Sequence, residues 1–434
     1  MTASDSVQYF KSIASVRETT GSVYRLIKSQ GEGNYYKLHD SKLKQVTEYL
    51  CNIIARDYGD DYDSIPPHGR WQHINAGGHA RMEHLLEQWN SEHVGEVEVA
   101  RRLIDILVVS VLVDAGAGNK WKYKAGEETY TRSEGLAVAS YHLFVDGEFS
   151  NGDANCQVNG QMLKQFTMDQ FVKGFQVSEE NPLSGTEGRL QLIRKLGESL
   201  IAHPEIFGPQ TRPGGLVDYL HGKASGNQIN LNDVWDALMD GFVTIWPTGR
   251  TSIEGQPLGD TWILDTKLQA AAASPKWHDK FLDSLVTFHK LTQWLCYSLL
   301  VPLESYGYKF VIQNKELQTG LPEYRNGGLF YDFGVIELKP EHLKRGLALT
   351  KKLGGEGTLP TFTADDGAIV EWRCLTVGLL DELHSLVNKR LNTNLTLPQV
   401  IEAGSWKAGR EIAAEKRPST KSPPIELYSD GTVF

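Results

Sequence analysis

The sequence predicts a mainly α-helical protein with a few short strands, on three observations. Apolar residues recur at helical spacing through Val94, Val97, Ala100, Ile104, Leu107, Val111 and Leu112. Residues 276–303 are apolar almost all round, the pattern of a helix covered on every side. Strand-like runs are few, and the best of them lie at 308–313 and 329–337.

Taken in order, the first 65 residues read as an N-terminal helical segment, and 66–434 as the main helical body of one or two lobes. Thr131 with Glu134, and Ser184 with Glu187, have the spacing of capping boxes that open helices. Gly147 would stop the first of these helices, and Gly197 would interrupt or end the second. The run 276–303 should be one central buried helix, and the two strand-like runs flank a turn and could pair as a hairpin. Residues 368–391 read as another helix whose start could equally be a buried strand. The glycine-rich patch 351–357 reads as a surface loop. The proline-rich end is extended, with Val433 and Phe434 as an apolar tip that could dock on the body.

Composition narrows the function. The chain has 434 residues, 40% hydrophobic and 23% charged, which is globular and long enough for a large core. Its 44 basic and 54 acidic residues give a formal charge of −10, which disfavours binding to the phosphates of a nucleic acid and favours a small-molecule ligand. Cys51, Cys156, Cys296 and Cys374 are widely spaced, with no CxxC pair, and most have apolar neighbours. The N-terminus is polar and mixed, and the apolar run 103–113 is too short to cross a bilayer, so a cytoplasmic protein without a membrane role is expected.

Four segments put charge in apolar surroundings. The stretch 317–335 carries Glu323, Arg325 and Asp332 among Gly320, Gly327, Gly328 and several aromatics, with Pro322 restricting the turn. Asp114 closes the apolar helix at its electron-rich end, where a cationic partner or a ligand must compensate it. Lys290 and Gln293 are three apart and share a helix face among Leu, Phe and Trp residues; a lysine buried there needs an anion. Glu371 and Arg373 would point the same way from a strand and could bridge each other. Together the four suggest one polar pocket in a helical body. His68, His73, His79 and His84 lack the spacing of a zinc site, so no metal or other cofactor is expected, and Arg70, His73 and Arg81 read better as anion ligands or loop clamps.

These segments also carry a resemblance. SVLVDAGAG followed by W-x-Y, then RSEGLAVAS, NPLSGTEGR, RPGGLVDYL, FHKLTQWL, TGLPEYRNGG, VEWRCLTV and the terminal SDGTVF together resemble the uracil catabolism protein 4 family of fungi and bacteria, from about Pro66 to Phe434. The resemblance implies a place in uracil degradation after an enzyme similar to GTP cyclohydrolase II has opened the pyrimidine ring. The substrate it implies is a ribosylurea or its 5′-phosphate, a nucleotide-derived small molecule, from which urea is released. A more distant similarity, to the queuosine salvage proteins, implies a helical N-glycohydrolase fold related to DNA glycosylases. It is carried by Lys290 to Gln293, Glu323-Tyr324-Arg325 and Glu371 to Arg373 in that order, with Glu323 standing where that pattern has Asp.

Cleaving a ribosyl C–N bond develops positive charge on the sugar, which a carboxylate stabilises while a base activates water. On this reading Glu323 is the carboxylate at the anomeric carbon, with Asp114 the second candidate. Lys290, Arg325 and Arg373 are the cations for a phosphate or for orienting those acids, and Tyr324 and Trp294 wall the pocket. Gln293, Asp332, Glu371, His73 and Arg81 complete the candidate substrate contacts. Two rivals stand beside it: a metal-dependent amidohydrolase acting on the urea moiety, and a non-catalytic partner of the ring-opening enzyme, with which transient contact is expected in any case.

Overall fold

The structure, a computed structural model, describes residues 2–114, 116–118, 120–150, 156–245, 250–273, 279–355 and 357–428. It is mainly helical, with short strands that associate only in pairs among the described residues. The described residues form two compact units: 2–68, 250–290 and 318–428 make the first, and 69–245 and 291–317 the second.

The first unit is built around the 25-residue helix Gly367–Leu391. Asp366 caps its start by accepting the Ala368 N–H at 2.9 Å, and Asn392 ends it in the left-handed region at φ 51°. Its first half is buried throughout, Glu371 and Arg373 included, and helices Ile13–Gln30, Leu43–Tyr58 and Tyr324–Asp332 pack against the helix. Val23, Ile27, Leu50, Ile54, Leu329, Phe330, Leu375, Leu379 and Leu383 fill the space between them, and each such side chain fully buried contributes about 1.5–3 kcal/mol. Gly378 lies where any Cβ would fall 2.3 Å from the Tyr24 ring, so it sets how closely two of these helices approach. Strand Tyr36–Leu38 pairs antiparallel with Ile336–Leu338, Thr361–Thr363 pairs parallel with Glu426–Tyr428, and Thr261–Ile263 pairs antiparallel with Leu285–Thr287.

The second unit packs the apolar helix Glu96–Leu112 against helices Arg132–Val145, Thr186–Ala202 and Leu216–Lys223. Asp105, buried in the middle of that apolar helix, takes two bonds from Arg212, at 2.6 and 2.9 Å, and one from the Gly214 N–H at 2.6 Å. A charge there is tolerable only because it is paired. Strands Lys122–Ala125 and Glu128–Thr131 form a hairpin, and Gln228–Asn230 pairs parallel with Val311–Gln313.

Several local expectations change. The run 276–303 is not one helix: helix Lys280–Ser284 gives way to strand Leu285–Thr287, and helix Lys290–Ser305 starts after it. A strand buried on both faces is as continuously apolar as a buried helix, and the β-branched Val286 and Thr287 were the signal for it. No hairpin forms around 317–335. Residues 329–332 end the helix Tyr324–Asp332, and the two neighbouring strands pair elsewhere. Residues 368–370 are helical, not strand. Thr131 precedes its helix and Gly147, at φ 77°, follows its end, but the Thr131 side chain makes no capping bond, and Gly185 rather than Ser184 stands at the second helix start. Gly197 neither interrupts nor ends that helix: a Cβ on it would lie 2.4 Å from the Lys164 nitrogen, so it seats helix Gly160–Lys164. Helix Pro340–Lys352 runs into the glycine patch. The terminal residues 429–434, including Val433 and Phe434, lie outside those described.

Candidate active site

Glu323 precedes the helix Tyr324–Asp332 with extended backbone, and its carboxylate caps that helix. One oxygen accepts the Arg325 N–H at 2.7 Å and the other the Asn326 N–H at 2.5 Å. A carboxylate has about four lone-pair sites, so each oxygen keeps one for a ligand or water. Burial raises the Glu323 carboxyl above its ordinary range; the two N–H groups and the charges of Lys290 and Arg325 pull it part of the way back. The cap is itself supported: Asn326 donates to the Leu321 carbonyl at 3.2 Å and accepts from Ser405 at 2.7 Å, and Ser405 ends a π-helical turn, Ile401–Ser405. Gly320, Gly327 and Gly328 are not turn glycines, because none has positive φ. They permit close approach instead: a Cβ on Gly320 would meet Leu380 at 2.4 Å, and one on Gly327 would meet Thr376 at 2.7 Å.

Behind this turn lies an ion pair that sequence reasoning missed. Asp260 is buried and takes parallel bonds from Arg373 of 2.9 and 2.7 Å. Its oxygens also accept the Trp262 indole N–H at 2.6 Å and the Lys290 backbone N–H at 3.0 Å. Burial alone would raise its carboxyl, but the Arg373 charge and these donors hold it well below the usual range. Arg373 is therefore committed to Asp260 rather than to Glu371, and its guanidinium covers the Phe288 ring at 3.9 Å. In a helix, two residues apart means nearly opposite directions, which is why the expected Glu371–Arg373 bridge does not form. The available signal was chemical: a buried arginine needs an acid, and Asp260 stands beside an apolar stretch.

Glu371 is fully occupied. It accepts the backbone N–H groups of Asn34, Tyr35 and Tyr36 at 3.0, 2.9 and 2.9 Å and the Thr266 hydroxyl at 2.5 Å, which makes it an anchor for the 33–36 turn rather than a substrate contact. Asp332 ends the same helix that Glu323 begins, roughly 13 Å along it at 1.5 Å per residue, and is clamped by Arg417 at 2.8 and 2.5 Å. It does not join Glu323 around Arg325, whose guanidinium donates to the Lys421 carbonyl at 3.1 Å and covers the Tyr324 ring.

The second unit gathers a different set. Asp114 follows the helix Glu96–Leu112, and the compensation its position demands is present. One oxygen accepts the Ser133 hydroxyl at 2.6 Å; the other lies 3.0 Å from Arg70 and accepts the Trp294 indole N–H at 3.2 Å. Arg70 is wholly buried and also bonds Ser110 and Ser133. His73 lies 3.2 Å from both Arg70 and Ser133, with its ring 5.4 Å from that of Trp294. Gln293, the residue before Trp294 in the same helix, is buried. Arg189 braces the turn after Val113 by donating to the Val113 and Gly116 carbonyls at 3.0 and 2.9 Å; burial lowers its guanidinium to about 10, partly offset by Asp114. Arg81 is a loop clamp, donating to the Ile74 and Ala76 carbonyls and to Tyr130. Glu323 and Lys290 thus belong to the first unit, and Asp114, His73, Gln293 and Trp294 to the second.

Of the histidine cluster, His68 is paired with Glu402 at 2.5 Å and His79 with Glu128 at 2.8 Å. Among the described residues no three His, Cys, Asp or Glu side chains converge as metal ligands, and no helix is long and apolar enough to cross a membrane. All four cysteines are buried thiols.

Comparison with known proteins bears on the same residues. A family model described as "Protein of unknown function (DUF1688)" matches residues 9–434, which include every candidate above. The chain is 63% identical to Uracil catabolism protein 4 of Lachancea kluyveri and 42% identical to Protein urg3 of Schizosaccharomyces pombe, in each case over the full length of both chains. The chain therefore belongs to the DUF1688 family, the uracil catabolism protein 4 family that its motifs resemble.

Proposed function

We propose that the protein acts in uracil catabolism, where it hydrolyses the N-ribosyl bond of a ribosylurea or its 5′-phosphate to give urea and the ribose species. The name of its relative supports the pathway. The observation that carries the chemistry is Glu323: a carboxyl with a raised affinity for protons, held rigidly by two backbone donors, with open lone pairs and Lys290 as a neighbouring charge. A carboxylate tuned upward in this way is suited to take a proton from water near neutral pH. The water oxygen bonds to C1′ as the C1′–N bond breaks, its electron pair leaves with the urea nitrogen, and that nitrogen takes up a proton. Lys290 would bind the 5′-phosphate or stabilise the Glu323 carboxylate.

The test is incubation of the purified protein with ribosylurea, with and without the 5′-phosphate, and assay of free urea. Urea should appear with one or both substrates, and Glu323→Gln should lower its rate on the order of 10²–10⁴-fold. Lys290→Met should raise KM for the phosphorylated substrate alone. Normal turnover by Glu323→Gln with loss in Asp114→Asn would move the reacting carboxylate to Asp114. Ammonia in place of urea, abolished by a chelator, would indicate an amidohydrolase. No product at all would indicate a non-catalytic partner.

A further inference from the structure

The turn that leads into Lys290 is strained and held from two sides. His289, a non-glycine residue, has φ 45°, and its Nε2–H donates to the Phe10 carbonyl at 2.6 Å. On either side of it, the Phe288 N–H donates to the Asp260 carbonyl at 3.0 Å and the Lys290 N–H to the Asp260 carboxylate at 3.0 Å. Asp260 in turn is locked to Arg373, whose Nε–H donates to the Pro322 carbonyl at 3.4 Å, one residue before Glu323. One buried ion pair therefore touches the backbone at both Lys290 and the Glu323 turn. Apolar residues of the same shape commonly match a buried ion pair in stability, so the pair's distinctive contribution is the fixed direction of its bonds.

We propose that Asp260 and Arg373 are positioning residues that direct the Lys290 ammonium toward the Glu323 carboxylate, by tying the Lys290 backbone to the Pro322–Glu323 turn. Its catalytic meaning rests on the reading of Glu323 as the reacting carboxylate. Arg373 is then not a substrate contact. The charges that act on Glu323 are Lys290 and Arg325, and only the first depends on the Asp260–Arg373 pair for its backbone anchor.

The test reads Glu323 directly. Protein labelled with 13C-glutamate is titrated by pH-difference infrared spectroscopy, and the Glu323 carboxyl band is assigned by its loss in Glu323→Gln. Lys290→Met should raise the Glu323 titration by about one pH unit, because it removes the nearby opposite charge. The pair variant Asp260→Leu/Arg373→Met should stay folded and reproduce that rise. Should it fail to fold, Asp260→Glu, which keeps the charge but displaces it, should raise the titration part of the way. A folded pair variant, or a folded Asp260→Glu protein, in which Glu323 titrates as in the parent overturns the proposal, and so does a Lys290→Met protein with no change. A parent protein that releases no urea from ribosylurea defeats the glycohydrolase reading alone, since the titration needs no substrate.

Discussion

Arg70 holds a guanidinium nitrogen 3.0 Å from the carboxylate of Asp114, and none of the arginine side chain meets solvent. The acid stands just past the C-terminal end of an apolar helix, where the helix dipole opposes it. Arg70 supplies the balancing charge, and Ser133 and Trp294 supply neutral donors.

Removing one member of this pair should cost far more than removing both. Arg70→Met leaves the Asp114 charge without its cation and should destabilise the fold by about 3–5 kcal/mol, whereas Arg70→Met with Asp114→Leu should recover a good part of that loss. Urea unfolding of the four proteins of this cycle gives the coupling. Independent, additive effects would contradict the pairing.

The Glu323 carboxyl titrates higher in the folded protein than the roughly 4.3 of an unfolded chain. The folded state therefore binds its proton more tightly. Its contribution to stability is fully present below about pH 4.3 and is lost as pH rises through the raised folded value. The stability of the parent relative to Glu323→Gln should accordingly fall across that window and level off above it. Thermal unfolding of both proteins through the acid range measures this, and a difference that grows with pH would reverse the assignment.

Gly33 sits against the anchor rather than in a free turn. A Cβ there would lie 2.5 Å from the Glu371 carboxylate, and four hydrogen bonds prevent that carboxylate from moving aside. Gly33→Ala should cost about 1–3 kcal/mol in chemical unfolding. Glu371→Ala, which strips acceptors from three backbone N–H groups, should cost at least as much.

Two further glycine substitutions should have opposite signs. A Cβ on Gly409 would lie 2.2 Å from the Arg325 carbonyl, so Gly409→Ala should destabilise the protein and weaken urea release by shifting the helix that Glu323 caps. Gly222, in helix Leu216–Lys223, has open space around it, so Gly222→Ala should stabilise by about 0.4–1 kcal/mol and leave activity unchanged. Melting temperatures and urea assays on the two variants settle both.

Helical class was legible because periodicity is local: the spacing from Val94 to Leu112 implies one helix whatever surrounds it. The demand that Asp114 be compensated was legible too, since a helix end fixes the sign of the field. Where the sequence misled was in residues whose role depends on a distant partner. Glu371 and Arg373 looked like a pair because they are close in sequence, yet one anchors residues 34–36 and the other neutralises Asp260. Gly320 and Gly327 looked like turn residues because glycine permits turns, yet they serve close packing on helix Gly367–Leu391.

By itself, then, the sequence determined the helical class, the family and the charged positions that needed partners, because each is written in neighbouring residues. Only the tertiary structure decided which of those charges are spent. Glu323, with two donors, keeps open lone pairs, whereas Glu371, with four, does not, because a carboxylate's freedom depends on how many donors the fold brings to it across hundreds of residues.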